Sequence, residues 1–130
     1  MLILADPSGD LKGAYEEGIR IRNHMDKQRN LVNTFLDSGN ITADAVKAKL
    51  RSFDMVHFAG HADYSHTDAG DSGWLLSRTH LKAKDIQKMT GTSTMPAIIF
   101  SNACQSARTE EWLQNVYFTD EVFGLTNAFL

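Results

Sequence analysis

Cysteine is almost absent from this chain: Cys104 is the only one among 130 residues. A lone thiol closes no internal disulfide, so packing has to hold the fold, and a reducing, cytoplasmic setting is expected. Charge of one sign is also lacking. Lys and Arg number 13 against 16 Asp and Glu, for a net charge of -3 and a pI near 5.9. That balance leaves no basic footprint for direct binding of nucleic acid or of an anionic membrane surface. No apolar run approaches the ~20 residues of a membrane-spanning helix. The opening Met1-Leu2-Ile3-Leu4-Ala5-Asp6 lacks the basic segment and long apolar core of a signal peptide. The G-x-G-x-x-G, Walker and G-x-S-x-G patterns are missing, as are internal repeats and low-complexity tracts.

What is present suits one soluble domain over residues 1–130: hydrophobic residues at 42% and charged residues at 22% argue against disorder. Leu2-Ile3-Leu4-Ala5 reads as a strand, closed by the turn-forming Asp6-Pro7-Ser8-Gly9-Asp10. Ala14 to Arg29 reads as a helix, and Leu31 to Leu36 as a second strand. Thr42 is placed to cap a helix over Ala43 to Arg51, in which Val46, Leu50 and Phe53 recur at helical spacing. Asp54 to Gly60 is the third strand, and Trp74-Leu75-Leu76 a short one beyond a polar segment from Asp63 to Gly73. Leu81 to Met89 has the spacing of a short helix. Ala97 to Ser101 is nearly all apolar, as in a strand covered on both faces. Val116 to Leu130 carries Phe118, Val122, Leu125 and Phe129 at helical spacing. Alternating strands and helices predict an α/β sandwich with a mostly parallel sheet. The last of these helices ends without a cap or polar tail, so a domain incomplete at its C-terminus, lacking further strands, is expected.

In open α/β sheets, reactive groups gather at the carboxyl ends of the strands. His61 follows the third strand, and Cys104 follows the apolar strand before it. If those strands are neighbours, the two residues meet across about one strand spacing, ~4.8 Å. A thiolate beside an imidazole is the machinery of a cysteine peptidase: the imidazole takes the thiol proton and later protonates the leaving amine. Backbone N–H groups around Ala62 and at Cys104 are candidate oxyanion donors. Gly60, Ala62, Ala103 and Ala107 are small enough to leave room for a substrate backbone. The competing reading of Cys104 is a buried core thiol, the commoner fate of a single cysteine. Against it, Cys104 sits among Asn102, Gln105 and Ser106 rather than inside the apolar run.

No metal or other cofactor is expected. His57 and His61 have an H-x-x-x-H spacing, but four residues along a strand span ~13 Å, too far for one ion. His57 therefore reads as structural. His66 and His80 fall in no ordered ligand pattern, and Asp63, Asp68 and Asp71 lack the spacing of an EF-hand. Two carboxylates in Asp6-Pro7-Ser8-Gly9-Asp10 would repel phosphate, so this loop reads as lying near the active cleft.

His57-Phe58-Ala59-Gly60-His61-Ala62 and Phe100-Ser101-Asn102-Ala103-Cys104-Gln105-Ser106 resemble the two signature blocks of CHAT domains, caspase-like peptidases of clan CD often fused to tetratricopeptide repeats. The resemblance continues in order through Asp6-Pro7-Ser8-Gly9-Asp10-Leu11 with Ala14 and Glu16-Glu17, Ser72-Gly73-Trp74-Leu75-Leu76, Leu81 to Ile86 and Phe123 to Leu130. It implies a caspase-like three-layer sandwich and a cysteine endopeptidase with His61 and Cys104 as catalytic dyad. The amides of Ala62 and Cys104 would form the oxyanion hole. The family usually has glycine where this chain has Ala62, and a left-handed backbone there costs alanine ~1 kcal/mol or more. Relatives in the clan often cut after arginine or lysine through an acidic pocket, for which Asp6, Asp63 and Asp71 are candidates. A protein or peptide substrate is implied, and a tetratricopeptide-repeat or other partner as regulator. Two alternatives stand beside this reading: a non-catalytic CHAT-like signalling or interaction module, and a doubly wound ligand-binding domain with a structural cysteine. An active domain and an inactive fragment of one are both compatible with the sequence.

Overall fold

The computed structural model describes residues 1–29, 32–36, 38–39, 41–65, 67–90 and 94–104. Its elements run β1 (Leu2–Ala5), α1 (Lys12–Met25), β2 (Thr34–Leu36), α2 (Ala43–Leu50), β3 (Met55–Asp63), a single 3-10 turn at Ala69–Asp71, β4 (Gly73–Leu76), β5 (Thr79–Lys82), α3 (Ala83–Thr90) and β6 (Ile98–Cys104). The architecture is α/β, built on a mixed open sheet. β1 pairs in parallel with β2 and β3, and β3 in parallel with β6. The β4–β5 hairpin joins antiparallel at the far end of β3, through Ala62 opposite Trp74 and Asp63 opposite Gly73.

The alternation of side chains along each strand decides what each face of the sheet carries. Leu2, Leu4, Val56 and Phe58 form one buried cluster with Ile41, Val46 and Leu50 around α2 and with Ile86 and Met89 of α3. α2 forms where expected. Thr42 accepts a hydrogen bond from the Ala45 amide at 3.3 Å, and Val46 and Leu50 turn inward four residues apart. Phe58 stacks on Trp74 with ring centroids 4.3 Å apart and planes 4° from parallel. The buried indole still needs a partner for its N–H, and Ser101 Oγ on β6 accepts it at 2.9 Å.

α1 covers the opposite face, where its contact with β1 is unusually close. A β-carbon on Gly18 would lie 2.4 Å from that of Ala5 and 3.0 Å from the Phe35 ring. Glycine is thus required for approach, in a helix where it costs about 1 kcal/mol of propensity relative to alanine.

Two differences from the sequence reading share a cause. Leu81 and Lys82 end β5 rather than begin a helix, and β3 and β6 run three residues beyond their expected ends. The hairpin turn is Ser77-Arg78, with φ of 63° at Arg78, and carries none of the Asn-Gly or Asp-Gly chemistry that marks such turns. The strand extensions His61 to Asp63 and Asn102 to Cys104 are polar or small, and only pairing with neighbours makes them strand. The expected strand start at Leu31 and the helix from Val116 to Leu130 lie outside the described residues.

The segment after β3 is pinned by charge. Asp71 accepts from Lys84 Nζ at 2.5 Å and Lys82 Nζ at 2.9 Å. Donation from Lys84, then from Lys82, pushes its carboxyl from an ordinary 3.8 down to about 2. A folded-state value below the unfolded one makes this contribution complete above about pH 4.

Two outcomes follow from this packing. Gly18→Ala gains helix propensity yet should lower stability by about 1–3 kcal/mol through overpacking, read as a reduced urea midpoint; an unchanged or raised midpoint would contradict the close approach. The stability gap between the native chain and Asp71→Asn should shrink as pH falls from about 4 towards 2, measured by urea titrations across that range.

Candidate functional site

The carboxyl ends of β3 and β6 lie side by side. Their parallel register pairs Phe58 with Ser101, Ala59 with Asn102, Gly60 with Ala103 and His61 with Cys104. The sequence reading put His61 and Cys104 just after their strands. Both are instead strand residues, opposite one another in the last described pair of the β3–β6 ladder. Cys104 is described at its backbone. Gln105, Ser106 and Ala107 lie outside the described residues.

Asp6 organises the loop above this strand end. Its amide donates to the Ala59 carbonyl at 2.9 Å, fixing the end of β1 to β3. Its Oδ1 accepts the amides of Gly9, Asp10 and Leu11 at 3.0, 3.1 and 3.0 Å. Leu11, the residue preceding α1, makes no side-chain cap; its own amide is held by Asp6 together with the two loop amides before it. The carboxylate is held in a left-handed turn with φ of 48° at Asp6, a conformation aspartate tolerates better than most residues. The loop delivers Asp10 to His61, whose Nε2 lies 3.3 Å from both carboxylate oxygens. Donation from the Ser8 hydroxyl, and secondarily the contact with His61, hold the Asp10 carboxyl below its ordinary range.

A second polar contact ties the same strands to α1. Glu17 Oε1 lies 2.7 Å from His57 Nε2, and Glu17 Oε2 accepts from Asn102 Nδ2 at 2.7 Å. His57 is buried and engaged by Glu17, in line with its structural reading. One carboxylate thus bridges β3 and β6 two residues short of Cys104.

Other candidates are employed elsewhere. Asp6 is committed to the three loop amides, and Asp71 is neutralised by Lys82 and Lys84. Asp63 is exposed at the end of β3, with Oδ1 accepting the Tyr64 amide at 2.9 Å. The room expected over Gly60 is filled: a β-carbon there would stand 2.9 Å from both the Phe58 ring and Pro7. Ala62 lies in extended strand without a positive φ, so the anticipated cost of a left-handed alanine does not arise. Among the described residues, no group of three or more His, Cys, Asp or Glu side chains is arranged to hold a metal ion. No helix among them is long and apolar enough to cross a membrane. His66 lies outside the described residues.

The roles of Asp10 and Glu17 escaped the sequence reading. Asp10 was read only as part of a loop near the cleft, and Glu17 as part of the helix after it; nothing in their spacing pairs them with residues 51 and 85 positions away. Glu17→Ala should cost about 1–3 kcal/mol, because it leaves His57 buried without this partner. Faster hydrogen exchange at the amides of Phe100 to Ala103 should accompany it; unchanged stability and exchange would show that the bridge carries no weight.

No curated protein and no solved structure matches the chain. The family model described as CHAT domain matches residues 2–130, nearly every position of the sequence. The resemblance carried by the histidine and cysteine blocks therefore extends to the whole chain, which belongs to the CHAT domain family.

Proposed function

We propose that the chain is the caspase-like domain of a cysteine endopeptidase, with His61 and Cys104 as its dyad. The observation that carries this reading is the register: the one cysteine and His61 are paired residues on adjacent parallel strands, at their carboxyl ends. Paired positions in neighbouring strands stand ~4.8 Å apart and share a face of the sheet. Membership of the CHAT family supports the same assignment.

In this mechanism His61 accepts the Cys104 thiol proton, and the thiolate attacks the carbonyl carbon of the scissile peptide bond. The amides of Ala62 and Cys104 stabilise the oxyanion. The tetrahedral adduct collapses, the C–N bond breaks, and the imidazolium protonates the departing amine. His61 then takes a proton from water, whose oxygen attacks the thioester; the acid is released and the thiol is restored. Cleavage after arginine or lysine belongs to this proposal. With Asp6 and Asp71 engaged, Asp63 is the one of the three candidate carboxylates left to meet a basic side chain. An attached repeat domain or partner regulates the activity in this reading.

A single cysteine makes the test direct, since every adduct reports on Cys104. Iodoacetamide at pH 6, well below an ordinary thiol pKa near 8.5, should label the native chain about tenfold faster than His61→Ala. Equal rates would defeat the dyad. Fluorogenic peptides with arginine or lysine before the cleaved bond should be turned over by the native sequence and not by Cys104→Ala. A coupled dyad that turns over no peptide, with its partner domain present, would favour the non-catalytic signalling module.

A further inference from the structure

We propose that Asp10 is the positioning residue for His61: its carboxylate accepts the Nε2 proton and leaves Nδ1 as the nitrogen that exchanges a proton with the Cys104 thiol. This rests on the dyad reading above and adds a third member to it.

The contact is built rather than incidental. His61 Nε2 is equidistant, at 3.3 Å, from the two oxygens of Asp10. Ser8 Oγ donates to Asp10 Oδ1, and the Asp10 amide is itself fixed on Asp6 Oδ1. Asp6 is in turn bonded to the carbonyl of Ala59, two residues before His61 on the same strand. Histidine and carboxylate are therefore referenced to one segment of β3. The His61 side chain is 27% exposed, and that of Asp10 64%. The ring has limited freedom, while the carboxylate stays ionised, helped by the Ser8 hydroxyl.

A neutral imidazole has one donor nitrogen and one acceptor, whereas an ionised carboxylate only accepts. Their contact selects the Nε2–H tautomer, and the lone pair then resides on Nδ1. When the Cys104 proton moves to Nδ1, the ring carries a proton on both nitrogens and one positive charge. Asp10 keeps its negative charge throughout and favours that state electrostatically. Neighbouring carboxylates are differently engaged: Glu17 holds His57 and Asn102, and Asp63 holds the Tyr64 amide.

The test reads the tautomer directly, without relying on catalysis. Histidine 15N NMR on the whole chain, with His61→Gln to assign the signal, should show His61 as the Nε2–H form at a pH where the ring is neutral. Asp10→Ala should shift it to a tautomer mixture, while Asp10→Asn keeps most of the bias because an amide oxygen still accepts. Ser8→Ala, which leaves the carboxylate in place but unsupported, should fall between. Iodoacetamide labelling of Cys104 should slow in Asp10→Ala by only a part of the about tenfold loss expected of His61→Ala, because the base is displaced but not removed. An unchanged tautomer in Asp10→Ala, with labelling still sensitive to His61→Ala, overturns the role of Asp10 alone. A tautomer lost in Asp10→Ala, with labelling indifferent to His61→Ala, overturns the dyad and the positioning role together.

Discussion

The register of β3 is the constraint to which the other parts of the candidate site are fixed. This nine-residue strand is bonded to β1, to β6 and, past His61, to β4. Strand side chains alternate, so a slip by one residue would exchange the two faces of the sheet. Phe58 would leave its stack against Trp74, and His57 would enter the apolar cluster instead of facing Glu17. The stack on one face and the His57–Glu17 contact on the other therefore select the same register. That register sets His61 opposite Cys104.

The β1–α1 loop shows how a local cost is met by long-range order. A left-handed aspartate is unfavourable alone, and a buried carboxylate is worse without partners. Three amides on one oxygen offset both. They also turn a flexible-looking Pro-Ser-Gly segment into a platform that holds Asp10 against His61. Glu17 acts similarly one helical turn further on, answering two strands with one side chain. Polar contacts near the site thus rest on carboxylates of the first seventeen residues, while the apolar packing draws on strands and helices from β1 to α3.

The sequence disclosed the backbone plan well wherever chemistry was local. The Thr42 cap, the Val46 and Leu50 spacing and the apolar runs of β1 and β6 were legible because each is written within a few residues, although β6 is not covered on both faces as expected, since Ile98 and Phe100 are exposed. So was the presence of His61 and Cys104 at strand ends. The β5 strand was hidden because Ser77-Arg78 does not look like a hairpin turn, and because Leu81 and Lys82 adjoin a real helix. The room expected over Gly60 was misjudged, since glycine there makes way for Pro7 and Phe58 rather than for a substrate. Asp10 was read as near the cleft, but what it and Glu17 bind could not be read: their partners lie far along the chain, and only the folded sheet brings them near.

The carboxylate of Asp6 also acts as a ruler. Each bonded amide fixes the distance from the end of β1 to the start of α1, so the loop accepts changes of side chain but not of length. The segment after β3 is fastened differently, by the Ser65 amide on Ser72 Oγ and by Asp71 on two lysines. An insertion between Asp6 and Leu11 would pull these amides off their common oxygen, so the near side of His61, where the histidine meets its acid, is held to a fixed count of residues.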